Sequence, residues 1–310
     1  MRTTLLGIII AMLFTKDVHA QLTSMQSAFF QNQYLVNPAM AGLENQLNIN
    51  MDYHQQWTTL PGSPRLTSVT ADYNSGNKVG LGVNIYNDKA GLINRTRLMF
   101  TYAYHITLNG EGDILTGETT KLNLGLSAGL NSANIDESAI VGDIGDLALA
   151  EFNNHNLYPD GDLGASYTSS GFNAQVALPN LKRTFFKSDK TDVNVEGSTF
   201  YTAISYKIQL SNSYSNTILR IEPKIAYRGV EGFSNIFDIG ANFYRTSFGN
   251  NTKLNITALY HTNNCATLGA GFDIDNFGLL FCYSANTGPL STYANNTFEV
   301  GVSLRFIKKK

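Results

Sequence analysis

The stretch Asn296-Thr297-Phe298-Glu299-Val300-Gly301-Val302-Ser303-Leu304-Arg305-Phe306 alternates in character with a period of two. Phe298, Val300, Val302, Leu304 and Phe306 fall on one side, and Glu299, Gly301, Ser303 and Arg305 on the other. That is a β-strand with one apolar and one polar face. In a soluble sandwich the apolar face points into a core; in an outer-membrane barrel it points to lipid and the polar face lines the lumen. An aromatic residue almost at the C-terminus, on a strand that must pair with the first to close a sheet, favours the barrel.

The same alternation recurs upstream. Leu47, Ile49, Met51 and Tyr53 are interleaved with Asn48, Asn50, Asp52 and His54. Val79–Tyr86, Leu98–Ile106 and Leu122–Leu130 follow the same rule, and so do Phe237–Phe243, Leu254–Tyr260, Ala266–Phe272 and Phe277–Tyr283. Weaker candidates lie at Leu66–Tyr73, Gly161–Thr168, Phe172–Leu178 and Thr199–Ile208. Leu219, Ile221, Ile225 and Tyr227 sit opposite Arg220, Glu222, Lys224 and Arg228. A charge facing the bilayer midplane costs about 2–4 kcal/mol, so these four, with Glu299 and Arg305, are expected in the lumen. The sum is an all-β chain: a transmembrane antiparallel outer-membrane β-barrel of about 14 strands.

The connections are sorted by parity. From a periplasmic N-terminus the external ones are Trp57–Arg65, Asn87–Asn94, Asn131–Asp160 and Pro179–Ser198, which include the two longest. The alternate set, Asn74–Lys78, Leu108–Thr120, Ser169–Gly171, Leu210–Asn216, Thr246–Asn251 and Asp273–Asn276, is mostly shorter. Short periplasmic turns and long external loops characterise bacterial barrels, and a soluble sandwich has no reason to sort its loops this way.

Composition agrees. Of 310 residues, 15% are charged and 43% hydrophobic, with 16 Tyr and 18 Phe; soluble domains carry about 25% charged residues. A net charge of −2 leaves no basic face for nucleic acid. Residues 1–20 read as a secretory signal: Arg2, an apolar run Leu5–Phe14, and Val18-His19-Ala20 before Gln21, so cleavage is expected near Ala20 and the destination is the Gram-negative outer membrane. Residues 21–45 then form an N-terminal periplasmic or plug segment and 46–310 the barrel.

Constellations that carry chemistry are sparse. His54, His105 and His261 fall on polar strand faces without metal-ligand spacing. Asp136, Glu137, Asp143, Asp146, Glu151 and Asp160 crowd one external connection, but their spacing matches no calcium loop, and a solvated loop is the better reading. Gly80-Leu81-Gly82 and Gly269-Ala270-Gly271 lie inside strands, where glycine lets a curved wall bend, and are not phosphate loops. There is no nucleophile elbow and no Ser, His and Asp set that the sequence places together. A tight turn near Asp275-Asn276 would set Cys282 opposite a residue near Gly269. Cys265 and Cys282 are then about four positions, roughly 13 Å, apart, too far for a disulfide. No enzyme, cofactor or metal is expected.

Three stretches together resemble the PorP/SprF family, outer-membrane proteins of the type IX secretion system of Bacteroidetes. The first is Tyr34-Leu35-Val36-Asn37-Pro38-Ala39-Met40-Ala41-Gly42, in which Asn37, Pro38, Ala39, Ala41 and Gly42 match the motif. The second holds Trp57, Gly62 and Pro64, then Lys78-Val79-Gly80-Leu81-Gly82, with Gly80 and Gly82 the landmarks, then Asn87-Asp88-Lys89-Ala90-Gly91. The third is the closing strand already quoted. The resemblance implies a non-enzymatic accessory role in type IX secretion, assisting export or surface attachment of cargo such as gliding adhesins. It also implies partners among the periplasmic and outer-membrane secretion or motility components. External loops are then expected to meet cargo, and the segment around Asn37–Gly42 and the periplasmic turns the machinery. The composition leaves a second reading open: a passive channel or hydrophobic-solute transporter.

Overall fold

The computed structural model describes residues 27–43, 46–76, 78–108, 119–135, 157–185, 198–210, 217–230, 234–247, 251–288, 291 and 297–307. The expected signal and the acidic side chains of 136–156 lie outside the described residues. Fourteen antiparallel strands close a barrel. They are β1 (Gln46–Gln55), β2 (Arg65–Gly76), β3 (Val79–Ala90), β4 (Ile93–Thr107), β5 (Lys121–Ile135), β6 (Leu157–Ser169) and β7 (Phe172–Leu178). The rest are β8 (Ser198–Tyr206, prolonged past Lys207 by Ile208–Gln209), β9 (Thr217–Val230), β10 (Ile236–Ser247), β11 (Thr252–His261), β12 (Cys265–Ile274), β13 (Phe277–Asn286) and β14 (Thr297–Ile307). The quoted strand closes the circle: β14 pairs with β1 from Gln46↔Ile307 to Gln55↔Phe298 and with β13 on its other side. Closure leaves no sheet edge, the condition for strands to cross a bilayer.

The pleat sends alternate side chains to opposite sides. Phe100 is 57% exposed and Leu268 67%, on a continuous apolar outer surface, whereas Glu299 is 1% exposed and Arg228 0%. Apolar residues outside and charges inside invert the order of a soluble core, and the only solvent that stabilises such a surface is lipid. Aromatic pairs mark this surface near the strand ends, Tyr53–Phe298 and Tyr227–Phe237 towards one end and Tyr167–Phe172 towards the other. Such rings suit the interfacial girdles of membrane barrels.

Several strands run longer than the sequence suggests. β3 and β4 continue to Ala90 and from Ile93, so the expected loop Asn87–Asn94 shrinks to Gly91-Leu92. Its polar outer residues, such as Asn87 and Thr96, bond to each other across the hairpin; the ladder continues where the apolar alternation stops. Likewise β5 reaches Ile135 and β6 starts at Leu157, so Asp160 belongs to a strand and not to the external connection. We call the end bearing 56–64, 136–156 and 179–197 the outer end, following the loop-length rule for bacterial barrels. On that side a five-residue helix, α1 (Leu181–Phe185), packs on β6, with Leu181 against Gly161.

Candidate functional site

The lumen is occupied by the chain's own residues 27–43. They form three 3-10 turns, Ser27–Phe30, Gln33–Leu35 and Pro38–Met40. Local chemistry dictates the last: Asn37 accepts the Ala39 amide at 3.0 Å as an N-cap, and Pro38, which has no amide to leave unpaired, takes the first turn position. Gly42 then adopts φ +65°, a conformation that favours glycine, and delivers the chain to β1.

Wall contacts run down the segment. Near the outer end the Glu299 carboxylate accepts the amides of Ser27 (2.6 Å) and Ala28 (2.7 Å), with His54 Nδ1 3.4 Å from the same group. Phe29 and Phe30 are buried against Ala177, Tyr201, Ala203, Ala226 and Leu259, with Phe29 edge-on to Tyr201 at 5.7 Å. Lys224 donates to the Phe30 carbonyl at 2.9 Å, its charge balanced by Glu222 at 3.9 Å. Asn32 reaches Thr70, Gln33 accepts from Asn173 and Gln175, and Tyr34 donates to Thr101 at 2.8 Å. Burial holds the Tyr34 hydroxyl well above its ordinary pKa, so it stays a donor. At the inner end Gly42 donates to Asp72 (3.0 Å), Asn74 to the Gly42 carbonyl (2.8 Å) and His105 Nε2 to the Ala41 carbonyl (3.1 Å).

Four wall glycines receive this segment. A Cβ added at Gly80 would fall under 3.0 Å from the Ala41 carbonyl, at Gly82 from the Tyr34 ring, at Gly125 from Ala39 and at Gly164 from Asn37 and Pro38. Gly80 therefore makes room for the backbone at Ala41 and Gly82 for the Tyr34 ring, a role beyond the wall curvature expected of them. It also explains why the motif Asn37–Gly42 and the motif Gly80–Gly82 occur in one chain: each is shaped by the other.

The expected lumen charges are placed as follows. Glu222, Lys224, Arg228 and Glu299 are fully buried inside the barrel. Arg220 shares their face, but three residues from the start of β9 it is exposed. Arg305 is partly exposed and bridges to Asp273 at 3.0 Å. Trp57, Gly62 and Pro64 lie in the outer hairpin 56–64, where the Gly62 carbonyl accepts the Gly91 amide at 3.0 Å. Phe298, Val300, Val302, Leu304 and Phe306 share the outer face of β14. Cys282 is paired with Gly269 and Cys265 with Asn286; both thiols are free.

Two clusters escaped the sequence. Arg97 binds Asp162 in fork fashion (3.0 and 2.6 Å) and Asp160 at 3.1 Å, and the two carboxylates also accept the amides of Asn180 and Lys182, fastening α1 to the rim. Arg228 holds Asp238 (2.7 Å), which accepts from His261 Nδ1 (2.5 Å); His261 Nε2 meets Thr267 (3.0 Å), and Thr267 meets Ser284 (2.6 Å). The structure thus assembles the Asp, His and hydroxyl set that no sequence spacing announced. Its hydroxyls are 1% and 7% exposed and bonded to each other, and Asp238 is neutralised by Arg228, so the chain ties β9–β13 together and presents no nucleophile. The cue was parity alone: all five residues lie on lumen faces.

The segment divides the lumen. On its inner side lies a polar recess of about 780 Å³, lined by Asn48, Asn50, Asn173, Lys253 and Arg305 among others. A smaller cavity of about 100 Å³ lies between Tyr34–Pro38 and the wall β2–β6.

The sequence profile of a family described as type IX secretion system membrane protein PorP/SprF matches residues 18–304. No curated protein matches the sequence. Among solved structures, the toluene transporter TodX of P. putida superposes with a TM-score of 0.44 at 10% identity, covering 89% of this chain and 94% of that one. Omp33 of Acinetobacter baumannii gives 0.40 at 10% identity, covering 86% and 100%. The translocator domain of the autotransporter NalP from Neisseria meningitidis gives 0.34 at 14%, covering 90% and 96%.

Proposed function

This chain belongs to the PorP/SprF family of type IX secretion system membrane proteins, and from that premise we propose that it is a non-enzymatic accessory barrel that assists export or surface attachment of cargo such as gliding adhesins. Cargo meets the outer end, where α1 and the β3–β6 rim stand, and periplasmic secretion or motility components meet the inner recess. The observation that carries this reading is the filled lumen: residues 27–43 hydrogen-bond to side chains on β2, β4, β7, β9, β11 and β14 and lie against glycines of β3, β5 and β6. A barrel so occupied offers surfaces at its two ends and not a path through its middle.

The alternative, a passive channel or hydrophobic-solute transporter of the outer membrane, needs that segment to leave. Two measurements separate the readings. Deleting the chain should deplete particular surface proteins from the cell exterior; an unchanged secreted proteome and unchanged surface adhesins overturn the accessory role. In planar bilayers the purified barrel should stay closed, and a steady open conductance would favour the channel.

A further inference from the structure

The recess on the inner side of the buried segment, about 780 Å³, has the volume of a ligand site, about 300–1,000 Å³, and its charges are sorted by depth. Among the described residues, six charged side chains line it. At the mouth stand Lys207, Lys253 and Arg305 with a single carboxylate, Asp273, which Arg305 meets at 3.0 Å and Lys253 at 3.8 Å. Three cations to one carboxylate leave the mouth positive. Deeper, Asp72 accepts the Gly42 amide (3.0 Å) and Asn48 (3.2 Å). Asp52 differs: it is 6% exposed, yet it accepts no hydrogen bond and meets no cation among the described residues. Its Oδ2 is shut off, whereas Oδ1 stands where a Cβ at Gly301 would be, beside another residue of the recess wall. A buried carboxylate without a donor or a cation is costly, so the deep end lacks a positive partner.

The strand register sets the distance between the two poles. Asp52 pairs with Gly301, and Arg305 lies four residues further along the same lumen face of β14, roughly 13 Å at about 3.3 Å per residue. Between them Asn50 pairs with Ser303, and both line the recess with neutral hydrogen-bonding groups. Arg305 is at the inner end, where its amide donates to the Asn276 carbonyl in the turn (2.8 Å). Beyond Asp52 the Glu299 carboxylate holds the amides of Ser27 and Ala28 and the recess is closed. A blind recess suits a chain end better than a chain passing through. The carboxylate at its closed end selects an ammonium, and the cations at its mouth select a carboxylate behind that ammonium. A bare metal ion fits neither demand, for among the described residues no three His, Cys, Asp or Glu side chains gather to hold one.

We propose that the inner recess receives the amino-terminal end of an extended peptide, with its ammonium on Asp52 and a carboxylate about four residues behind at Lys207 and Lys253. The proposal rests on the reading that periplasmic components meet this recess, and it names the part that enters: the N-terminal tail of a periplasmic protein. The probe is tetraalanine, because four extended residues span about 13–14 Å. Full-length protein in detergent at low salt is titrated with it, and binding is followed by saturation-transfer NMR on the alanine methyls. The comparison ligands are N-acetyl-tetraalanine, which lacks the ammonium, tetraalanine amide, which lacks the carboxylate, and dialanine, which cannot reach both poles.

Tetraalanine is expected to saturate and to bind at least tenfold better than each comparison ligand. Asp52→Asn should bring the free and acetylated peptides level. Lys207→Gln combined with Lys253→Gln leaves Arg305 neutralised by Asp273 and should bring the free acid and the amide level; heat-modifiable gel migration checks that each variant is folded. Absence of saturable transfer, equal binding of the acetylated peptide to wild type, or an undiminished preference in Asp52→Asn overturns the proposal and leaves a recess that holds water only. Failure here is distinct from failure of the accessory role. If tetraalanine does not bind while deleting the chain still depletes surface proteins, the peptide site is lost and the role stands. If it binds as expected while Asp52→Asn leaves surface export unchanged, the site stands and a secretion component is overturned as its occupant.

Discussion

Replacing Gly80 with alanine tests whether the wall glycines hold residues 27–43 in the lumen. The added methyl would fall 2.8 Å from the Ala41 carbonyl carbon and 2.9 Å from His105 Nε2, and nearer still to the Ala41 oxygen. The nearest atoms are backbone, so no side chain can swing aside, and the segment must retreat by about 1 Å. That withdraws Ala41–Gly42 from three hydrogen bonds: His105 to the Ala41 carbonyl (3.1 Å), Gly42 to Asp72 (3.0 Å) and Asn74 to the Gly42 carbonyl (2.8 Å). At about 0.5–1.5 kcal/mol for each neutral bond and 1.5–3 kcal/mol for the one to a carboxylate, the gross loss is roughly 2.5–6 kcal/mol. Water in the inner recess re-solvates part of it, leaving about 3 kcal/mol. The ratio of docked to undocked segment should fall roughly 100-fold. Single-channel recording should show opening bursts that are rare in wild type, with a variant lacking residues 27–43 setting the open level. Amide exchange of residues 37–42 should accelerate in step. If Gly80→Ala folds and neither conductance nor exchange changes, the glycines do not seat the segment and the account of the two motifs fails.

Glu299→Ala removes the acceptor of the Ser27 and Ala28 amides. Each bond to a charged acceptor is worth about 1.5–3 kcal/mol, so protease protection of residues 27–30 should be lost while the barrel stays heat-modifiable. Lys224→Met takes the donor from the Phe30 carbonyl and the cation from Glu222; with one partner of a buried ion pair gone, about 3 kcal/mol should disappear from urea unfolding in vesicles. Phe100→Arg, on the lipid face of β4, should cost about 2–4 kcal/mol in the same assay, and an unaltered midpoint would contradict the inside-out arrangement. Cys265 and Cys282 are free, so both should be alkylated after denaturation without reductant.

The alternation of Phe298–Phe306 and its kin settled the strands, their number and which face meets lipid, because a period of two is a property of a single extended chain and needs no partner to be read. The pairing of Cys282 with Gly269 was legible for the same reason, since a tight turn sets the register of a hairpin. Strand ends were not: β3–β6 extend beyond their apolar positions because ladder hydrogen bonds, and not lipid contact, hold them there, and so Asp160 looked like a loop residue. The lumen had to wait for tertiary structure. Asp238 and His261 meet only across neighbouring strands, and Arg97 meets Asp162 only across β5. Gly80 and Gly82 could be seen as glycines, but what they make room for, the Ala41 backbone and the Tyr34 ring, comes from the segment upstream of the barrel. A sequence records which side chains face inward; only the closed barrel brings them to one axis and decides what they touch there.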